Sequence, residues 1–322
     1  MSEIWPVFFI GILLFIVIAA LSKVKKRKKK LKLYRIQTPL LIDERHPELL
    51  WLETRLTESL SPDFIKKVKS RVLMNHPAWT DNDFDWRLFE LKRYFILAKI
   101  LKTVPMFSEE VDEVWHEMLM FTKDYETFSN KFYGNFLHHT PNMEVVPIPN
   151  ERALFDWVYL QLFEPTANSR LLWGTFLKHP LEAELLENFR TLSEPSLLEL
   201  YFKKDEEAED AQKILVQLLN NDIQQAEFIK QDEDDEPFKR MTSENNHTYL
   251  LPAMVYFSMY EAEDYQHEMD HLLPKEASHG SSTSSGCSSF TCDSGNGSDS
   301  SCSSSNCSSG CSSGCGGGCG GS

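Results

Sequence analysis

Cysteine is missing from most of this chain: all seven cysteines stand at or after Cys287, and none falls in residues 36–279. A secreted disulfide framework would spread cysteine through the fold, so the body cannot be cross-linked, and the distribution favours a reducing compartment. Glycine is nearly as scarce where it would interrupt helices, with only Gly134 and Gly174 between Pro47 and Glu261. Positive charge is also short in the body. Residues 1–35 carry nine Lys/Arg against one acid, residues 36–279 carry 24 bases against 45 acids, and the stretch from Gly280 has two acids and no base. A groove for DNA or RNA needs clustered Lys/Arg to replace counterions, which argues against nucleic acid as a partner of the body. Its acidity serves solubility or the attraction of cations. No phosphate loop, dinucleotide fingerprint or Gly-x-Ser-x-Gly elbow is present, which weakens the common enzyme classes.

What is present begins with an apolar run from Ile4 to Leu21, broken only by Pro6 and Gly11, and followed at once by Lys23, Lys25, Lys26, Arg27, Lys28, Lys29, Lys30 and Lys32. At about 1.5 Å per residue such a run just reaches across a bilayer core. A secretory signal peptide carries its charge before the apolar region, and here the order is reversed. The expectation is a transmembrane anchor over 1–22 and a polybasic segment over 23–37 held against anionic lipid. The N-terminus would then lie outside and the body in the cytoplasm.

From Pro47 to about Glu261 apolar residues recur at three and four, predicting an all-α body over 38–279. Ser61-Pro62-Asp63 reads as a capped start of a helix running towards Met74. Asp83 to Leu101 reads as an amphipathic helix through Trp86, Phe89, Tyr94 and Leu97. Ser108 before Glu109 and Glu110 caps the next. A proline-rich turn from Pro141 to Pro149 separates this part from a second helical half starting near Asn150. Phe-Asp-Trp occurs at 84–86 and 155–157, but the flanks diverge. Gln231 to Glu236 reads as a solvated acidic loop. Residues 280–322 hold 18 Ser, 11 Gly and 7 Cys, a composition expected to stay disordered.

The chemistry-bearing residues concentrate between Glu109 and Pro141. Asp112 and His116 stand four apart on one helix face, where a carboxylate can fix the tautomer of an imidazole, although the same spacing makes an ordinary surface ion pair. If the following helix turns back, His139 approaches His116 and completes a His/His/Asp set suited to a divalent metal, with His138 a weaker candidate. Adjacent histidines before Thr-Pro serve equally well as turn residues bonding the backbone.

Glu90-Leu-Lys-Arg-Tyr-Phe, Phe107-Ser-Glu-Glu-Val-Asp-Glu-Val-Trp-His, Phe121-Thr, Tyr125 and Leu137-His-His-Thr-Pro together resemble the core of the glycine-rich domain-containing protein family, over residues 85–142. The Gly/Cys terminus is a second point of likeness. The resemblance implies that Asp112, Trp115, His116, Tyr125 and His139 are the positions to carry over, without implying an activity. Two positions depart from the family pattern: Met118 stands where many relatives have the second histidine of Trp-His-x-His, and Ser129 where a cysteine is frequent.

Two further motifs bear on metals. His267-Glu-Met-Asp-His271 matches the zincin string, but Asp270 adds a charge, Pro274 ends the helix, and only Glu276 or His279 follows as a third ligand. Cys307, Cys311, Cys315 and Cys319 repeat at four-residue steps after Cys287, Cys292 and Cys302. Such thiols can gather a soft metal, be acylated, or belong to a passive or oligomerising tail. The leading expectation is a single-pass membrane protein whose helical body is a binding or assembly module with a protein partner. The alternative is a metal-dependent enzyme or metal-binding protein centred on His116 and His139.

Overall fold

The computed structural model describes residues 31–139, 148–231, 238 and 249–273. The expected anchor at 1–22, the lysines before Leu31, residues 141–147 of the turn expected from Pro141 to Pro149, most of the acidic loop and the cysteine-bearing tail lie outside the described residues. Among the described residues no helix is long and apolar enough to cross a membrane.

The described body is helical. After a short 3-10 turn at Pro47–Leu49, its helices are α1 (Leu50–Ser59), α2 (Pro62–Asn75), α3 (Asp81–Ile100), α4 (Glu109–Leu119), α5 (Thr122–Tyr133) and α6 (Pro149–Leu162). They continue with α7 (Ala167–Trp173), α8 (Ala183–Thr191), α9 (Glu194–Tyr201), α10 (Glu209–Gln231), α11 (Leu250–Tyr260) and α12 (Tyr265–Leu272). Helix starts follow local chemistry. Ser61 Oγ accepts from the Phe64 amide, with Pro62 as the first helical residue of α2. Thr80 and Asp83 close a capping box that begins α3 two residues before the start read from the sequence.

In the first half, α1, α2 and α4 pack on α3, and α5 packs on α1 and α4; in the second half, α10 packs against α6, α8, α9 and α11. Helix α7 meets α3, and one hydrophobic core runs through both halves. The ends of α3 and α9 meet in an antiparallel bridge between Leu101 and Phe202, the Lys102 amide donating to Tyr201 O and the Lys203 amide to Ile100 O.

Helix α3 departs from the amphipathic expectation, because nearly its whole circumference is buried, Arg87, Glu90, Arg93 and Lys99 included. Each of these charges has dedicated partners, as burial demands. Glu90 accepts from the Tyr159 hydroxyl (2.6 Å), Ser169 Oγ (2.6 Å) and Trp173 Nε1 (2.7 Å). Arg93 donates to the carbonyls of Leu40, Leu41 and Glu164. Lys99 Nζ reaches Phe132 O, Asp205 and Glu207 within 2.9 Å. The two Phe-Asp-Trp runs are not equivalent: Asp85 pairs with Lys69 at the surface, whereas Asp156 is buried against Arg152.

Candidate metal centre

Helix α4 carries two of the three residues. Ser108 Oγ accepts from the Val111 amide at 3.2 Å, starting the helix where the sequence suggests, with Glu109, Glu110 and Asp112 in its first turn. Val111, Val114, Trp115 and Met118 form the buried stripe. That stripe fixes the azimuth of α4 and sets Asp112 and His116 at its margin, one turn apart. Buried Arg87 pairs with Glu110 from α3, and Arg71 of α2 pairs with Glu117, so the helix is clamped from two sides.

The third residue arrives from the chain beyond α5. Gly134 ends that helix in the left-handed conformation (φ 74°), the geometry that lets the chain reverse. Ser129 Oγ donates to Asn135 O at 2.9 Å and accepts from the Leu137 amide. Trp115 Nε1 donates to the Tyr125 hydroxyl at 3.0 Å, which in turn donates to Leu137 O at 2.8 Å. These bonds hold residues 135–137 against α5 and tie α5 to α4. Two residues later the His139 ring lies edge-on to Trp115, with centroids 4.4 Å apart.

The result is a compact donor set. His139 Nε2 is 2.8 Å from Asp112 Oδ1, His116 Nε2 is 3.5 Å from Asp112 Oδ2, and one donor atom from each residue lies within 4.8 Å of the others. Ligands about 2.0–2.1 Å from a tetrahedral zinc stand about 3.3 Å apart, so small side-chain rotations bring all three onto one ion. The His139 side chain is 8% exposed, Asp112 21% and His116 46%, so the set faces solvent through His116. An ion held here would keep a position open to water.

Two tyrosines line the buried side of this region as neutral groups. Burial pushes the Tyr125 hydroxyl up to about 12, opposed by the hydrogen bond from Trp115. Burial, with the Asp112 charge adding to it, holds Tyr94 still higher, and its hydroxyl donates to Val104 O at 2.7 Å. Both therefore remain protonated donors near neutrality.

The other candidates separate clearly. His138 is exposed, rests on the Phe136 ring and stands outside the donor set. Met118 is fully buried on the core stripe, and the Ser129 hydroxyl is occupied with backbone. Neither position faces the donor set, so the departures at 118 and 129 remove nothing from it. Cys307, Cys311, Cys315 and Cys319 lie outside the described residues. An open groove between α8 and α10, lined by Glu187, Arg190, Leu192, Ile223 and Glu227, shares no residue with the cluster. The sequence reading missed two buried acids of unusual character. Burial raises Asp222 to about 7 against hydrogen bonds from Trp157 and Gln161, and raises Asp156 to about 6 against the Arg152 charge and the Leu177 amide. Both are buried and hydrogen-bonded, and the only sequence signal was an acid set among apolar residues on a helix.

No curated protein and no solved structure matches the chain. Residues 54–153 match the family model described as UCP032817-like. That match corrects the resemblance to the glycine-rich domain-containing proteins, because the family recognised is a different and uncharacterised one. The physical reason is visible in the site: Trp115 and Tyr125 hold the chain that returns after a helical hairpin, and such a need is not peculiar to one family. The segment similar to the UCP032817-like family contains Asp112, His116 and His139 together with the Trp115–Tyr125 bonds that bring them into range.

Proposed function

We propose that the helical body is a divalent-metal-binding module, with Asp112, His116 and His139 as its protein ligands. The observation that carries the reading is the convergence of three donor atoms within 4.8 Å from residues up to 27 positions apart. Imidazole and carboxylate donors suit zinc and its first-row neighbours. The surplus of acids over bases in residues 36–279 adds a field favourable to cations. On this reading residues 1–22 anchor the module as a single span, with the basic segment against anionic lipid and the body in the cytoplasm; the support is the order of apolar run and lysines.

Elemental analysis of the full chain purified in detergent tests the metal reading. His116→Ala and His139→Ala should each lose one equivalent relative to the wild type, while His138→Ala should keep it. Equal metal content in all four proteins would reject the site. A metal-dependent enzyme is the second reading, favoured by the exposure of His116, which leaves room for a bound water or substrate.

A further inference from the structure

Helix α12 buries Tyr265 and Met269 and turns His267 and His271 outward, one helical turn apart. Their Nε2 atoms are 3.3 Å apart while the ring centroids are 4.6 Å apart, so the nitrogen-bearing ends lean together. Two chemistries fit this approach. A hydrogen bond needs a proton on one Nε2 and a bare lone pair on the other. A divalent ion uses both lone pairs, and a tetrahedral ion about 2.0–2.1 Å from two imidazole nitrogens sets them about 3.3 Å apart.

We infer that His267 and His271 form a second metal site, a two-imidazole surface chelate for a first-row divalent ion of the imidazole-preferring class such as copper, nickel or zinc. The helix supplies the four-residue spacing, so the second nitrogen binds intramolecularly. Among the described residues no group of three potential ligands includes this pair. The ion therefore keeps its remaining positions for water or an incoming ligand, which suits reversible capture and hand-over rather than the peptide hydrolysis that the zincin string brings to mind. The chelate shares no residue with Asp112, His116 and His139, so either site stands without the other.

Copper(II) alone is the probe, added to the full chain with its cysteines alkylated near neutral pH. Equilibrium dialysis counts bound ions and electron paramagnetic resonance reads their nitrogen ligands. The wild type should bind one ion more than His271→Ala, and that ion should show two coordinated nitrogens; affinity at this site should fall about tenfold or more in the variant. His267→Gln combined with Gln266→His keeps the number of histidines but breaks the spacing, and should lose the same ion. The difference of one ion is expected whether or not His116→Ala changes the count, which separates this site from the first. Both histidines are exposed, so far-ultraviolet dichroism should be unchanged. An unaltered count and signal in the two α12 variants, or no ion with two nitrogens in the wild type, overturns the inference.

Discussion

Tyr125 joins three parts of the candidate centre with one hydroxyl, accepting from Trp115 on α4 and donating to Leu137 beyond α5. Tyr125→Phe keeps the ring and leaves a buried N–H and a carbonyl without their partner, which should destabilise the fold by about 1 to 3 kcal/mol. The same change loosens the segment that delivers His139. Metal content should therefore fall together with melting temperature, and a drop in melting temperature with full metal retention would disconnect the staple from the site. Asp222 makes a different prediction. Its folded carboxyl titrates at about 7 against an ordinary 3.8, so folding takes up a proton between these values. The stability it contributes is complete below the ordinary carboxylate range and is lost as pH rises towards 7. Asp222→Asn keeps an oxygen for Trp157 and Gln161 and cannot ionise. Denaturant titrations should show the variant more stable at pH above 7, by on the order of 2 to 4 kcal/mol, and flatter between about pH 4 and 7.

At the scale of single elements, α4 depends on its cap. Ser108→Ala removes the acceptor for the Val111 amide and should cost about 0.5 to 2 kcal/mol, measurable as a shift in the unfolding midpoint without a change in slope. Helix starts of this kind were legible in the sequence because a cap is local: Ser61-Pro62 and Ser108 announce α2 and α4 within a few residues. The approach of His139 to His116 was legible as a consequence of the hairpin, once α5 was expected to turn back. The environment of α3 was not. Glu90, Arg93 and Lys99 mimic the polar face of a surface helix, and the residues that receive them lie far away in sequence, such as Tyr159, Trp173 and Asp205. A periodicity argument sees one helix at a time and cannot tell a charge facing water from a charge facing a partner seventy or a hundred residues on.

For the molecule as a whole, Arg93 is the crossing point. It reaches the segment before α1 through Leu40 and Leu41, α6 through the Tyr159 hydroxyl, and the α6–α7 connection through Glu164. Arg93→Met removes one member of a buried charged pair and leaves Glu90 without its counter-charge, so a loss of about 3 to 5 kcal/mol is expected. The double variant with Glu90→Gln should recover part of that loss, because the amide keeps an acceptor oxygen for the donors on Tyr159, Ser169 and Trp173 while removing the charge left alone. Failure of the double variant to improve on the single one, read by thermal unfolding, would show that Arg93 acts through its backbone contacts instead.

The bridge between Leu101 and Phe202 also bears on how the chain reaches this state. It closes a loop of about a hundred residues, and the bonds from Tyr159, Ser169 and Trp173 to Glu90 close loops nearly as long. Contacts of such separation slow folding, because the entropy of closure comes before the contacts that offset it. During synthesis α3 emerges well before the residues that neutralise and cover it. A nascent chain that has reached only residue 153, the limit of the segment similar to the UCP032817-like family, lacks Tyr159, Ser169 and Trp173, so Glu90 on α3 has none of those three hydrogen-bond donors. The native contacts of α3 are completed only when the second half has left the ribosome.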